Sequence, residues 1–288
     1  MNRYALAAGF ALSVLAFPGA GRAGPGAPVF QWRQTLNMPK RANLPPDAKV
    51  DILGIELGDT LLEARAKLAK FRVKYPPQER MTIYQDSTGT IAPKESAYVS
   101  DISLSMDRMG TGNSPIQDTV IVYFSAPASG SQVIGVRRLV YYHNNPADEP
   151  RISDILNQIS SKVRGNPEKG ARVYGTNYDL GDYYFVFDDG QYFRRVGSYS
   201  AAQSKCDANI AEQWQMNANP TGKCDIVYKV IFNHGPTGSD PGISPDHAHT
   251  IQFVLSDNER TWRNRTADGE FFNAYVQDMK SRAAAIRL

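Results

Sequence analysis

The spacing of apolar residues near the start of the chain predicts a short strand followed by an amphipathic helix. The segment VDILGIEL, residues 50–57, is rich in strand-forming residues and ends at Gly58. Thr60 is followed three residues later by Glu63, the capping-box pattern of a helix start, and apolar residues then recur at helical spacing. We predict that Pro76 and Pro77 end this helix, because proline cannot continue a helix interior.

Four strand-like segments follow this helix. They span residues 81–84, 98–106, 119–124 and 133–142. In the second segment apolar residues alternate with small or polar ones, which is the period of a strand with one buried face. No helical pattern separates the four segments, so we predict that they form an antiparallel sheet.

A second cycle of helix and strands occupies the second half of the chain. Apolar residues from Ile152 to Val163 recur at helical spacing. Strand-forming runs on both sides of the Asp-Gly pair at 189–190 predict a hairpin. Two more strands are predicted at residues 224–233 and 249–257.

The last helical pattern completes the predicted fold. Apolar residues recur at near-helical intervals over residues 271–286, and Asp268 and Glu270 stand at the predicted start of this helix. The predicted class is α+β, with helices packed on antiparallel sheet in two tandem helix-plus-sheet units, residues 49–145 and 146–288. One larger α+β domain is the alternative that the chain length also permits.

The first 23 residues have the order of a secretory signal peptide. Arg3 precedes an apolar run of about 14 residues, which is shorter than the roughly 20 that a membrane-spanning helix needs. Small residues lead up to Ala23, where we expect cleavage. The mature protein is therefore expected to be periplasmic or secreted, with no transmembrane anchor. Residues 24–48 are rich in Pro and Gly and predict a linker or a loosely packed arm.

The charge balance sets limits on the partner. The chain has 32 Lys and Arg against 29 Asp and Glu. Loss of Arg3 and Arg22 with the signal peptide leaves 30 basic side chains, and the net charge becomes +1. A nearly balanced surface argues against nucleic acid or an anionic membrane as the main partner.

Two cysteines and a histidine-rich segment are the candidates for covalent and metal chemistry. An exported chain meets an oxidising compartment, so Cys206 and Cys224 are expected to form a disulfide, with two separately buried thiols as the alternative. Asp246, His247 and His249 lie close together in sequence, and both histidines would face the same side of a strand. With a third ligand they could hold zinc or copper, although a solvated strand start is the favoured interpretation.

The sequence contains no strong catalytic or cofactor-binding motif. The turn with Gly54 and Gly58 lacks the Gly-Lys and dinucleotide spacings of phosphate-binding loops, and Asp59 would repel an anion. Neither a Gly-x-Ser-x-Gly elbow nor a cysteine beside a histidine is present. The chain is therefore predicted to be non-catalytic and to bind no cofactor.

Residues 52–68, ILGIELGDTLLEARAKL, resemble the opening of the small envelope lipoproteins of the BamE (SmpA/OmlA) type and of larger uncharacterised periplasmic proteins of proteobacteria. The matching residues are Gly54, Ile55, Leu57, Gly58, Thr60, Glu63 and Ala64. Asp59 stands where that family usually has Met, and there is no lipidated cysteine. The resemblance implies a binding or scaffolding role in the envelope, with an envelope protein as partner and no shared catalytic residues.

Three hypotheses on function follow. The favoured one is an exported, non-catalytic protein-binding or envelope-assembly protein, whose contact surface would include any tyrosines on an exposed sheet face. The second is a secreted inhibitor of an enzyme, since β-lactamase inhibitory proteins are similar in their tandem helix-and-sheet architecture. The third is a hydrolase or metal-binding protein with its site near Asp246, His247 and His249.

Overall fold

The computed structural model describes most of the chain after the expected signal peptide. The described residues are 30–40, 42–71, 73–86, 88–143, 147–169, 179–192, 225–233 and 246–285. The predicted signal peptide, Cys206 and Cys224 lie outside these ranges, so the disulfide stays a prediction.

The described residues form three helices and twelve strands. The helices are α1 (Leu61–Leu68), α2 (Ile152–Val163) and α3 (Asn258–Ala285). The strands are β1 (Asp51–Ile52), β2 (Ile55–Glu56), β3 (Gln78–Thr82), β4 (Tyr98–Ser105), β5 (Arg108–Met109), β6 (Pro115–Phe124), β7 (Val133–Tyr142), β8 (Glu168–Lys169), β9 (Asp179–Asp188), β10 (Gln191–Tyr192), β11 (Ile226–Asn233) and β12 (Thr250–Asp257). A 3-10 turn, Pro127–Ser129, lies between β6 and β7.

One antiparallel sheet of ten strands organises the molecule and confirms the predicted α+β class. Its main order is β10-β9-β11-β12-β7-β6-β4-β3, with β5 beside β6 and β8 beside β9. Two meanders meet at the centre, where residues 135–141 of β7 pair with residues 250–256 of β12. The sheet is thus continuous between strands of the two predicted units, and the division into units stays a prediction.

The segment predicted as one strand, residues 50–57, is a tight hairpin instead. β1 and β2 pair in antiparallel fashion, and Leu53 and Gly54 between them have φ angles of 57° and 78°. The two-residue turn that suits the twist of a β-hairpin requires positive φ at both of its central residues. The Asp51 carboxylate accepts a hydrogen bond from the Gly54 N–H at 2.9 Å, which holds the turn.

The start of α1 confirms the predicted capping box. The Thr60 hydroxyl accepts a hydrogen bond from the Glu63 N–H at 3.3 Å, and the Glu63 carboxylate accepts one from the Thr60 N–H at 2.9 Å. These two bonds satisfy backbone donors that a helix start otherwise leaves unpaired. The prolines at 76–77 do not end the helix themselves, because α1 already ends at Leu68.

The main hydrophobic core lies between one face of the sheet and the helices α1 and α2. Leu68 of α1 and Val163 of α2 are buried in the same cluster as the inward-facing residues of the sheet. This cluster includes Val122 of β6, Val140 of β7 and Phe232 of β11. Both helices therefore cover the same face, and their burial holds the two meanders together through one shared core.

Helix α3 lies across the other face of the sheet. Tyr123 and Arg137 alternate with core residues along their strands, and they line a cleft together with residues of α3. α3 follows β12 directly at Asn258, so the prediction that Asp268 and Glu270 start this helix is wrong. No helix in the described part of the chain is long and apolar enough to cross a membrane.

The buried guanidinium of Arg260, which is 1% exposed, joins three segments. Nε donates to Asp257 Oδ2 at 3.1 Å, Nη1 to Gln132 Oε1 at 2.6 Å and Nη2 to the Pro39 carbonyl at 2.8 Å. A buried charge costs several kcal/mol unless such partners surround it. Burial still raises the pKa of the Asp257 carboxyl to about 6. These contacts fix the start of α3, the β6–β7 connection and the N-terminal arm relative to one another.

The described part of the arm is attached to the domain at a few buried residues, Phe30, Ala42 and Ala48, while most of its other residues are exposed. The Phe30 ring is buried edge-on against Trp32 and Tyr275, with ring centroids 5.1 and 4.8 Å away. The Trp32 indole N–H donates to the Ser96 carbonyl at 2.8 Å. Aromatic side chains thus attach the arm both to α3 and to the segment that leads into β4.

We predict that Arg260→Met destabilises the protein by about 3–5 kcal/mol, because it leaves the Asp257 carboxylate buried without its counter-charge. Arg263→Met is the matched control. Arg263 lies one turn further along α3, and its partner Glu259 and its own side chain are both solvent-accessible. We expect the control to change stability by less than about 1 kcal/mol. Urea unfolding of both variants measures the difference, and equal losses would contradict the role given to Arg260.

Two glycines of the hairpin region provide a second test. Gly54 and Gly58 both have positive φ, 78° and 84°, but a Cβ on Gly54 would meet nothing within 4 Å, whereas one on Gly58 would lie 1.9 Å from the Lys40 carbonyl oxygen. Gly54→Ala should cost about 1–2 kcal/mol from backbone strain alone. Gly58→Ala should cost clearly more, since the arm must also move away. Thermal or urea unfolding compares the two, and a Gly58 variant no less stable than the Gly54 variant would refute the tight approach of the arm.

Candidate binding cleft

A cleft of about 1380 Å³ lies between α3 and the outward face of the sheet. Outward-facing side chains of β4, β6 and β7 form its floor, and residues 261–273 of α3 line one wall. The loop after β3, at residues 83–86 and 88–89, contributes to the rim. This volume exceeds the roughly 300–1,000 Å³ of common small-molecule pockets, which favours an extended ligand.

Strand periodicity explains how the floor forms. Successive residues of β6 face opposite sides of the sheet. Val120 and Val122 face the core, whereas Ile121 and Tyr123 face the cleft. Burial raises the pKa of the Tyr123 hydroxyl. The hydroxyl therefore stays neutral and able to donate a hydrogen bond at physiological pH.

Two consecutive arginines of β7 face opposite sides of the sheet. On the core side, Arg138 donates two hydrogen bonds to Asp118, at 2.9 and 2.6 Å. On the cleft side, Arg137 forms no ion pair with any described carboxylate, and its Nε–H is buried without a hydrogen-bond partner. Its Nη2 makes a long contact of 3.4 Å to Gln252 Oε1, and the Arg137 side chain donates a hydrogen bond to the neutral Tyr123 hydroxyl. Arg137 is therefore a guanidinium in the floor of the cleft whose charge no described neighbour neutralises.

Asn264 is the second unsatisfied polar group of the cleft. It lines the wall formed by α3 and is 1% exposed, yet neither its Oδ1 nor its Nδ2 has a hydrogen-bond partner among the described residues. Leaving a buried polar atom unpaired costs about 1–3 kcal/mol. A side-chain amide offers one acceptor and one donor group side by side, the complement of a peptide group. Asn264 is thus suited to bind a ligand with amide chemistry.

Asp268 attaches the wall of the cleft to the end of its floor. Its carboxylate accepts hydrogen bonds from the N–H groups of Ala126 and Ser129, at 3.2 and 2.9 Å, and from the Ser129 hydroxyl at 3.0 Å. Burial nevertheless raises the pKa of Asp268 to about 7, outweighing these bonds, which favour the charged form. Burial, and secondarily the nearby Asp268 charge, raises the pKa of Tyr84 to about 12.

The ion pairs around the cleft bring opposite charges together. Arg80 Nε donates to Asp101 Oδ2 at 2.6 Å, and the Ser100 hydroxyl donates to the same oxygen at 2.8 Å. Arg65 of α1 forms a two-point contact with Glu79 of β3, at 2.6 and 2.7 Å. These carboxylates are therefore already engaged by other cations.

The histidine-rich segment chosen from the sequence lies at the start of β12 and does not line this cleft. Asp246 is exposed and His247 is partly buried. His249 is 2% exposed, and its Nδ1 lies 3.0 Å from Glu149 Oε1. The expectation of a solvated strand start is therefore wrong for His249, because the chain around Glu149 covers it.

No residue in the described part of the chain supplies a third ligand for a metal site at His247 and His249. Within those residues, no three His, Cys, Asp or Glu side chains are grouped as metal ligands would be. Asp246, His247 and His249 therefore do not form a ligand set together with any other described residue. Sequence reasoning had no signal for Glu149, because it reaches His249 from another part of the chain.

The residues that define the cleft were not singled out by the sequence. Alternation along β7 could have placed Arg137 on the outward face, since Val136 and Val140 are core residues. Asn264 and Asp268 lie in a polar stretch without apolar periodicity, which gave no sign that it was helical or buried. Their roles depend on the packing of α3 over the sheet.

Fold and cleft define this chain as an α+β protein with an extended antiparallel sheet that carries an open polar cleft under a long helix. Comparison with protein-family models, curated proteins and solved structures found no match. The resemblance of residues 52–68 to BamE-type proteins therefore stays a prediction.

Asp268 makes the stability of the protein depend on pH in a defined direction. Its folded-state pKa of about 7 lies above the ordinary value of 3.8, so the folded protein binds this proton more tightly than the unfolded chain does. The resulting stabilisation is complete below about pH 4 and is lost as the pH rises through about 7. The side chain of the Asp268→Asn variant cannot titrate. Between about pH 4.5 and 8, the unfolding free energy of this variant should therefore fall by roughly 2–4 kcal/mol less than that of the wild-type protein.

Urea unfolding at four pH values across this range measures the effect. Glu270→Gln is the control, because Glu270 is exposed on the same helix and also lines the cleft. We expect the control to keep the slope of the wild-type protein. Parallel profiles for wild type and Asp268→Asn would contradict the raised pKa.

Proposed function

We propose that this protein is an exported, non-catalytic binding protein of the cell envelope that holds a segment of a partner protein in the cleft. The observation that most supports the proposal is Asn264, whose amide is buried in the cleft wall without a hydrogen-bond partner. Native proteins satisfy most buried polar groups. A ligand that supplies a carbonyl and an N–H would satisfy both atoms of this amide.

The size of the cleft and the spread of its polar groups favour an extended polypeptide as the ligand. The rings of Tyr84 and Tyr98 are held against Trp32, with centroids 6.0 Å apart in each case. Tyr84 also packs against Phe272 at 5.3 Å. Polar groups spread over a long cleft suit an extended chain, which presents a peptide group every residue.

The proposed location in the envelope rests on two features of the sequence. The signal-peptide pattern of residues 1–23 supports export, and the resemblance at residues 52–68 supports a role among envelope proteins. A partner that is itself an enzyme would make the same cleft an inhibitory surface. Identification of the partner decides between assembly and inhibition.

Site-specific photocrosslinking in intact cells tests the proposal. A photoreactive amino acid replaces Ser103 or Ile121, which line the cleft floor, or Leu62, which is 73% exposed on α1 at the opposite face of the sheet. We expect the two cleft positions, and not Leu62, to give the same discrete crosslinked protein. Asn264→Leu should reduce that product at least about fivefold, because a lost pair of hydrogen bonds weakens binding by about 1–3 kcal/mol.

Two outcomes of the crosslinking experiment would contradict the proposal. If the cleft positions and Leu62 give the same products, or if Asn264→Leu leaves the crosslinked band unchanged, the cleft is not the binding site and the proposal fails. Circular dichroism of the purified variant shows whether Asn264→Leu is folded, so that loss of binding is not confused with loss of structure.

A further inference from the structure

We propose that the cleft recognises a carboxylate of the bound segment through Arg137, while Asn264 binds a peptide group of the same segment. This inference rests on the proposed function and adds the chemistry that the cleft selects. It depends on the contrast between two neighbouring arginines and on the state of the other charges around the cleft.

Arg137 and Arg138 are adjacent in β7, but only the charge of Arg138 is neutralised by a described carboxylate. Arg138 is bound side-on by Asp118, which is buried and also accepts a hydrogen bond from Arg108 Nη1 at 3.1 Å. Arg137 is half-buried and has no such carboxylate among the described residues. A guanidinium removed in part from water attracts an anion more strongly than a fully hydrated one.

Three of the five acidic groups that line the cleft are engaged elsewhere, whereas Glu270 is exposed on α3 and Asp86 accepts hydrogen bonds from the backbone of its own loop. Asp101 binds Arg80, Glu79 binds Arg65, and Asp268 accepts three hydrogen bonds from the turn that follows β6. Releasing any of these carboxylates would leave other buried or paired groups unsatisfied. No described carboxylate forms an ion pair with Arg137, so a ligand can supply the negative charge.

The edge of Arg137 formed by Nε and Nη2 indicates which anion fits. Its Nε–H is buried without a partner and its Nη2 makes only the long 3.4 Å contact to Gln252, so a ligand that displaces Gln252 Oε1 can place two oxygens side-on against these two nitrogens. A planar carboxylate matches that fork with two parallel hydrogen bonds. A single guanidinium also balances the single charge of a carboxylate, whereas a phosphate group carries up to two charges and is usually bound by several cations.

The carboxylate can belong to an Asp or Glu side chain or to a chain terminus, and the two sources are separable by experiment. The mature protein, labelled with ¹⁵N, is titrated with three pools of random-sequence hexapeptides. One pool lacks Asp and Glu and is amidated, one lacks Asp and Glu but has a free C-terminus, and one contains Asp and Glu but is amidated. All three have acetylated N-termini.

The side-chain signals of Arg137 Nε–H and Asn264 NH₂ report on the site directly. We expect at least one carboxylate pool to shift both signals and the neutral pool to bind at least about tenfold more weakly. The free-acid pool acting alone identifies a chain terminus as the source, and the Asp/Glu pool acting alone identifies side chains. Either outcome supports the inference.

Charge variants provide the control. Arg137→Gln should lower affinity for the active pool at least about tenfold, and Arg137→Lys should restore part of it, because lysine keeps the charge but not the fork. Arg263→Gln removes the same charge from α3 outside the cleft and should leave affinity unchanged. Backbone amide spectra of each variant show whether the fold is retained.

Two results would overturn the inference while leaving the proposed function intact. In one, the neutral pool binds as tightly as the carboxylate pools and Arg137→Gln has no effect. In the other, no pool shifts either signal although the cleft positions still crosslink to a partner in cells. Loss of both the crosslinks and the peptide binding would instead remove the proposed function itself.

Discussion

The buried contact between Arg260 and Asp257 is the constraint on which the relative positions of the other parts depend. Asp257 ends β12 and Arg260 lies in the first turn of α3, so the pair fixes the direction in which the helix leaves the sheet. The remaining guanidinium nitrogens hold Gln132 and the Pro39 carbonyl. A charge so deeply buried tolerates few other arrangements of its partners, because each lost contact would leave an ion or dipole unsatisfied away from water.

The cleft is a consequence of that arrangement. α3 runs over the outward face of the sheet, and Asp268 attaches it to the turn after β6 some two helical turns beyond Arg260. The wall is thus held at both ends of a short span, and the buried Asn264 lies between these two anchors. Unsatisfied groups at Arg137 and Asn264 destabilise the folded chain. Native proteins keep few such groups.

Much of the secondary structure could be predicted from local pattern. β7 and α2 have the predicted bounds, and the tight turn at Asp189-Gly190 joins β9 to β10 as expected. These elements have strong periodicity or an unambiguous turn sequence. The hairpin in residues 50–57 and the first ten residues of α3 were missed. The former is shorter than any periodicity can reveal, and the latter buries polar side chains, so apolar spacing gave no sign of it.

The sequence by itself determined the fold class, the capping of α1, the alternation that gives the sheet two faces, and the expectation of export. Those features depend on neighbours a few residues apart, where propensity and spacing decide the conformation. Only the tertiary structure decided that β7 pairs with β12, that Phe30 of the arm packs against Tyr275 of α3 and that Arg137 and Asn264 share a cleft. Such contacts join residues more than a hundred positions apart, and their energies depend on burial and on partners that no local pattern contains.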